Sequence, residues 1–212
     1  QVQAAAKAAG DRLRAAVLLA AGTGMRRGEV FGLTEDRVQF LERKIIVDRQ
    51  LIGVRQGDPV FGPPKTRASV REIPLPTSVA EALAKHIEQY TPGPYGLLFT
   101  TSHGHAWRWT TLGEVWRAKM RAAKLEGFDF HELRHYYASL LIRYGESIKT
   151  VQARLGHKSA EETLNTYSHL WPDSDDRSRD AVDAALRAES GEKLGNFPDS
   201  LRTPSHRGPH LA

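Results

Sequence analysis

Apolar residues recur at helical spacing at both ends of this chain and at strand-like spacing between them. Leu13, Val17 and Ala20 fall on one face of a helix that Asp11 opens and that closes near Gly22. A short second helix is expected after Thr23, ending around Gly32. Stretches 38–41, 44–54 and 70–75 are rich in β-branched residues, and a Gly/Pro/Asp-rich segment fills 56–64. This pattern predicts a small antiparallel sheet with a long hairpin connection.

From Pro76 onward the helical period returns. Ser78 with Glu81 has the spacing of a capping box ahead of a stripe formed by Val79, Ala82, Leu83, Ile87 and Tyr90. The Pro92-Gly93-Pro94 break precedes a short strand at 97–100. Thr111 with Glu114 opens a helix to about Leu125. Asp129 with Glu132 opens the next, with the stripe Phe130, Leu133, Tyr137, Leu140, Leu141 and Tyr144, stopped by Gly145. Tyr136, Tyr137 and Tyr144 on this helix read as packing residues. Ser147 opens a helix that stops at Gly156, and Ser159 with Glu162 opens another that ends before Pro172. A last amphipathic piece spans 181–188. No internal repeat is present. The expected fold is α+β: one mainly helical domain with a small antiparallel sheet.

Composition narrows the class. The 212 residues carry 30 Lys and Arg against 25 Asp and Glu, a net charge of +5, and 40% are apolar, enough for a sizeable core. Absence of cysteine excludes a disulfide scaffold, a thiolate metal site and a Cys nucleophile. No apolar run reaches the roughly 18 residues of a membrane span, and no signal segment is visible, so a cytoplasmic protein is expected. The first residue is Gln1, as in a fragment or a processed form. The charge is uneven: residues 172–212 hold six Lys and Arg against eight Asp and Glu, which leaves 24 against 17 in residues 1–171. The basic character belongs to the body, and 191–212, rich in Gly, Pro, Ser and His, reads as loosely ordered. A positive body permits a nucleic-acid partner without identifying one.

Several short motifs carry chemistry. His131-Glu132-Leu133-Arg134-His135 matches H-E-x-x-H, in which two His one turn apart bind zinc and the Glu is a general base. A third ligand is needed, and the extended pattern fails because Ala138 and Leu141 stand where Gly and His are required. Glu146 and Glu161 are the remaining candidates, and nothing marks either. The same helix also places His131 and Arg134 three residues apart on neighbouring positions of one face, which suits an anionic centre. Gly22-Thr23-Gly24-Met25-Arg26-Arg27-Gly28-Glu29 puts an Arg at a glycine-bounded turn into a helix. Pro63-Pro64-Lys65-Thr66-Arg67 lies in the expected hairpin loop. Leu155-Gly156-His157 precedes a helix carrying Tyr167. Taken singly, each has an ordinary explanation: a solvated helix start, a loop tip, a cap residue, a core aromatic.

Their order is informative. Thr-Gly-Met-Arg-x-Gly-Glu, Pro-Lys-Thr, His-x-x-Arg, Leu-Gly-His and then Tyr resembles the catalytic domain of tyrosine recombinases, the phage integrase family, across about residues 1–172. The flanking Asp129-Phe-His-Glu-Leu-Arg-His and Thr163-Leu-Asn-Thr-Tyr-Ser-His are also similar to the family's. One departure is an interval from His157 to Tyr167 one residue longer than in many members. Another is the lack of the family's N-terminal DNA-binding domains, as in a catalytic fragment.

The resemblance implies cleavage of a DNA strand by a tyrosine, giving a 3′-phosphotyrosyl enzyme and a free 5′-hydroxyl, with religation as the reverse. It implies Tyr167 as nucleophile and Arg26 and Arg134 as the arginines that clamp the phosphate. It makes Lys65 the proton donor to the 5′ oxygen, His131 the assistant to proton transfer at the tyrosine, and His157 a donor to a phosphate oxygen. Glu29 is implied as a carboxylate that orients the site. The resemblance implies no metal and no cofactor. The partners it implies are double-stranded DNA and further protomers in a synaptic tetramer, with 173–190 as a linker and C-terminal helix docking in trans. A type IB topoisomerase-like enzyme shares this chemistry, and a zinc protease and a DNA-binding relic without catalysis are more distant alternatives. With +7 on its body, the fragment is expected to bind DNA weakly by itself.

Overall fold

The computed structural model describes residues 1–171 and 175–190, in two units, 1–171 and 172–212. The first unit opens with helices α1 (Val2–Ala9) and α2 (Asp11–Thr23), which pack together, and the short α3 (Arg27–Phe31) follows. The sequence pattern places no helix before Asp11; the buried face of α1 is alanine alone, Ala5, Ala6 and Ala9. Small side chains let it lie close to α2, whose buried Leu13, Ala16, Val17, Leu19 and Ala20 line the core.

Five strands follow in two sheets. Strands β1 (Val38–Gln39), β2 (Lys44–Val47) and β5 (Arg71–Pro74) form one antiparallel sheet in the order β1-β2-β5. Its register brings Val38, Ile45 and Ile73 into one buried row. Strands β3 (Gln50–Arg55) and β4 (Asp58–Gly62) form a separate two-stranded ribbon. The expected run 44–54 is therefore broken at Asp48 and Arg49, and most of the expected long connection 56–64 is strand. The reason is local. Gln56 and Gly57 both have positive φ, 53° and 95°, the conformation of a tight two-residue hairpin turn. Pro59 is accommodated because a two-stranded ribbon leaves outer N–H positions unpaired.

Helices α4 (Thr77–Gln89), α5 (Trp109–Ala122), α6 (Glu132–Arg143), α7 (Ile148–Leu155) and α8 (Ala160–Tyr167) complete the unit. Two of the expected capping boxes do not form: α4 starts at Thr77 after Pro76, and α5 starts at Trp109, neither with a side-chain cap. Asp129 caps the turn ahead of α6 instead, accepting from the His131 N–H at 2.8 Å. Ser147 and Ser159 do cap α7 and α8, accepting from the Thr150 and Glu162 N–H groups. The expected strand 97–100 is reduced to single bridges, Leu97 with Thr34 and Thr100 with Ala106. Tyr137 is buried as expected, whereas Tyr144, beyond the end of α6, is 80% exposed and packs no core.

The buried apolar residues form two clusters. The larger spans α1 to Leu133, and the smaller comprises Tyr137, Ala138, Ile142, Val151, Leu155 and Tyr167. Helix α6 contributes to both, so its residue Arg134 lies at the seam between them. In the second unit, helix α9 (Asp175–Ser190) covers most of the stretch expected as a linker, and its Val182 and Leu186 are exposed one turn apart. The expectation for 191–212 lies outside the described residues. Among the described residues, no helix is long and apolar enough to cross a membrane.

Candidate active site

The site is assembled at the joint between α2 and α3. Gly24 ends α2 in the left-handed region, φ 65°, and a Cβ there would stand 2.4 Å from the Tyr137 ring. Only glycine fits, and its carbonyl is thereby turned inward to accept from Arg134 Nη1 at 2.6 Å. Arg134 Nη2 donates to the Leu155 carbonyl at 2.7 Å, at the end of α7. Arg134 is 3% exposed. Burial, aggravated by the nearby charges of Arg26 and Arg71, pushes its pKa down to about 9. It still carries its charge at neutral pH, and an arriving phosphate would relieve that strain.

Arg26 sits at the start of α3. Its backbone N–H donates to Glu29 Oε2 at 2.9 Å, and its Nη1 reaches Glu29 Oε1 at 3.1 Å and Ser69 Oγ at 3.0 Å. Its Nη2 donates to the Gly156 carbonyl at 3.2 Å. Gly156 ends α7 with φ 66°, a second position where the backbone must turn left-handed to present a carbonyl. Glu29, 1% exposed, is held from the other side by Arg71 through both carboxylate oxygens. Burial pulls the Glu29 carboxyl up, but Arg71 and Arg26 together outweigh it and keep the group below the ordinary range.

Lys65 is exposed in the loop between β4 and β5, past the tight turn rather than in it. Its neighbour Thr66 shares a hydrogen bond with Ser69 at 2.9 Å, which ties the loop to Arg26. Arg26, Lys65 and His131 line one open cleft of about 620 Å³, together with Arg27, Trp109 and Asp129. Arg134, His157 and Tyr167 are buried.

His157 stands on the turn after α7, its Nδ1 2.9 Å from Thr163 Oγ1. Burial, and then the charge of Arg134, push its pKa down to about 4, so the imidazole is neutral at pH 7. Its Nδ1 shares that bond with the Thr163 hydroxyl, and its Nε2 faces Glu162 Oε1 at 3.8 Å. The His157 ring lies nearly parallel to that of Tyr167, 8° apart at 6.5 Å. Tyr167 ends α8 and is 4% exposed. Burial raises its phenol pKa above the ordinary value, against the pull of Arg134. Its hydroxyl is 2.7 Å from Nδ1 of His135, and His131 packs edge-on against His135 at 4.8 Å. Burial, with His135 and Arg134 nearby, lowers the His131 pKa.

All seven residues singled out from the sequence thus converge on one region. Four others belong to it and were missed. Arg71 lies in phase with the core residue Ile73 on β5, and a charge on a core-facing strand position is a signal for a buried partner. His135 lies in the H-E-x-x-H match, whose spacing marks it only as a zinc ligand. Ser69 and Thr163 carry no signal, because a hydroxyl becomes notable only once its partner is known. Among the described residues, no three His, Cys, Asp or Glu side chains cluster in a way that could hold a metal ion.

Known proteins give the same picture. The family model "Phage integrase family" matches residues 1–173. A tyrosine recombinase XerC-like protein of Caldanaerobacter subterraneus is 32% identical over 183 residues, 77% of this chain and 47% of that protein. A putative prophage phiRv2 integrase of Mycobacterium tuberculosis is 30% identical over 196 residues, 91% of this chain and 50% of the relative. The chain therefore spans about half the length of the curated relatives it matches. Among solved structures, the Tn1549 transposon integrase in complex with circular intermediate DNA superimposes with a TM-score of 0.64 at 25% identity, covering 82% of this chain and 59% of that one. XerA recombinase shares the fold, with a TM-score of 0.63 at 20% identity over 91% of this chain and 62% of its own. Sequence motifs, fold and family match agree: the chain belongs to the phage integrase family.

Proposed function

We propose that this chain is the catalytic part of a site-specific DNA recombinase that cuts and rejoins strands through a 3′-phosphotyrosyl intermediate. The carrying observation is the convergence of two guanidinium groups, Arg26 and Arg134, beside a buried tyrosine whose hydroxyl is hydrogen-bonded to an imidazole. Phosphoryl transfer needs a nucleophile, fixed positive charge on the non-bridging oxygens and a proton source for the leaving oxygen. Tyr167 is the nucleophile. Arg26 and Arg134 hold the phosphate, and the carbonyls of Gly24, Leu155 and Gly156 fix where their N–H groups point. Neutral His157 donates from Nε2 to a phosphate oxygen. Lys65, on a loop that can close on DNA, protonates the 5′ oxygen. His131 assists proton transfer at the tyrosine end, and Glu29 orients Arg26. The reaction needs no cofactor, since the arginines supply the charge and the phosphotyrosyl ester conserves the bond energy.

The Tn1549 integrase is described in complex with DNA, which supports double-stranded DNA as the substrate here. Recombination also needs several protomers, and we assign α9 to docking on a neighbouring protomer within a synaptic tetramer, its exposed Val182 and Leu186 being suited to an apolar contact. Deleting 172–212 is expected to weaken synapsis more than cleavage, and an equal loss of both would count against docking in trans. The central test is Tyr167→Phe in a covalent-capture assay on phosphorothiolate-substituted duplex at low salt. Covalent complex is expected to vanish while DNA binding persists, and undiminished capture would exclude Tyr167 as the nucleophile.

A further inference from the structure

We propose that His135 is the group that takes the proton from Tyr167 as the strand is cut and returns it as the strand is rejoined; this rests on Tyr167 being the nucleophile. The geometry is direct. Tyr167 Oη lies 2.7 Å from His135 Nδ1, inside the range a general base requires, with the two rings edge to face at 5.6 Å. His135 follows Arg134 on α6, so one rigid helix carries both the proton acceptor and a phosphate-holding guanidinium. A phenol that is 4% exposed cannot hand its proton to bulk water, and His135 is the base within its reach.

The step balances as follows. The Tyr167 O–H bond breaks and its proton moves to Nδ1, giving an imidazolium that keeps its Nε2–H. The phenolate oxygen forms a bond to phosphorus. The bond from phosphorus to the 5′ oxygen breaks, its electron pair leaves with that oxygen, and Lys65 supplies the proton. Religation reverses each transfer. The charged and titratable groups around the pair are Arg134 and Glu132, whose charges act on Tyr167, His131 edge-on to His135, and His157 stacked on the phenol.

A hydrogen bond that only satisfied a buried hydroxyl would be served equally well by glutamine, which bonds but does not take up a proton. The experiment therefore compares the full chain with His135→Gln on duplexes captured covalently from a randomised library and remade with a 5′-bridging phosphorothiolate. Sulfur leaves without a proton, so the transfer at the tyrosine is the one that remains. His135→Gln is expected to slow covalent-complex formation by about 100-fold or more, the lower end of general-base effects. The acid limb of the rate–pH profile should disappear and the rate should climb with hydroxide, while DNA binding is kept. A rate within about threefold of the parent with an unchanged profile would overturn the proposal, and so would a faster rate, which would make the bond a latch.

If His135→Gln loses its fold by circular dichroism, the ¹⁵N spectrum of the parent chain decides. The tautomer with the proton on Nε2 is expected, and a proton on Nδ1 of His135 overturns the assignment. Tyr167→Phe run alongside separates the two claims. Capture lost in Tyr167→Phe but normal in His135→Gln removes the base and keeps the nucleophile, whereas capture surviving in Tyr167→Phe removes both.

Discussion

Arg71 grips both carboxylate oxygens of Glu29, Nη2 to Oε2 at 2.9 Å and Nη1 to Oε1 at 3.2 Å, and its Nε donates to the Arg154 carbonyl at 2.8 Å. One side chain therefore joins β5, α3 and α7, the three elements that place Arg26 and the turn bearing His157. Glu29 is 1% exposed, so removing Arg71 would strand a buried charge. Arg71→Leu is expected to lower stability by about 3–5 kcal/mol, read from urea unfolding. A loss under about 1 kcal/mol would show that Arg26 alone suffices to hold Glu29.

Arg134 donates to two carbonyls on different elements, at Gly24 and Leu155. A lysine ammonium cannot reproduce a planar fork that serves both carbonyls and still presents N–H groups to a phosphate. Arg134→Lys should reduce covalent-complex formation by about 10²–10³-fold, the cost of losing one preorganised donor to a developing charge, with duplex affinity changed much less. Equal losses in affinity and in rate would make Arg134 a ground-state binding residue.

His157 has a folded-state pKa of about 4, below the ordinary histidine value near 6.5 of an unfolded chain. Between these values the unfolded chain binds the extra proton, so stability rises with pH across that window and falls as pH drops through it. The melting temperature should decline from pH 6.5 toward pH 4, and His157→Gln should flatten that decline. His86 and His131, both lowered chiefly by burial, would account for the slope that remains. An unchanged slope in His157→Gln would place the titration elsewhere.

Lys65 stands exposed on its loop and bonds no core group, so Lys65→Ala should leave the melting temperature unchanged. Cleavage of ordinary DNA should slow by about 10²–10⁴-fold, and a 5′-bridging phosphorothiolate should restore it. A variant equally slow on both substrates would point to a role in holding the phosphate instead.

Legibility followed the range of the interactions involved. Helices α2, α7 and α8 were readable because their signals are local in the chain: a terminal glycine for α2, a serine cap for α8 and both for α7. The hairpin was not, because a Gly/Pro/Asp-rich stretch resembles a loop until the turn at Gln56 and Gly57 commits β4 to pair with β3. The capping boxes assigned to Ser78 and Thr111 failed for a related reason: Pro76 and Arg108 start those helices earlier, so the serine and threonine fall inside the first turn. Tyr144 shows the limit of periodicity, since it is in phase with a core stripe but lies past the end of the helix.

The order of Arg26, Lys65, His131, Arg134, His157 and Tyr167 along the chain was enough to identify the family, and it carries the proposal for the residues of the site. The partners of those residues were decided only on folding. Arg71 meets Glu29 across 42 positions and His135 meets Tyr167 across 32, and no short-range pattern encodes which of several histidines a buried hydroxyl will meet. A hydrogen bond between buried groups is set by how two packed clusters close on each other. The choice between His131 and His135 as the tyrosine's partner is thus a property of the seam at α6, and the motif that contains both is silent on it.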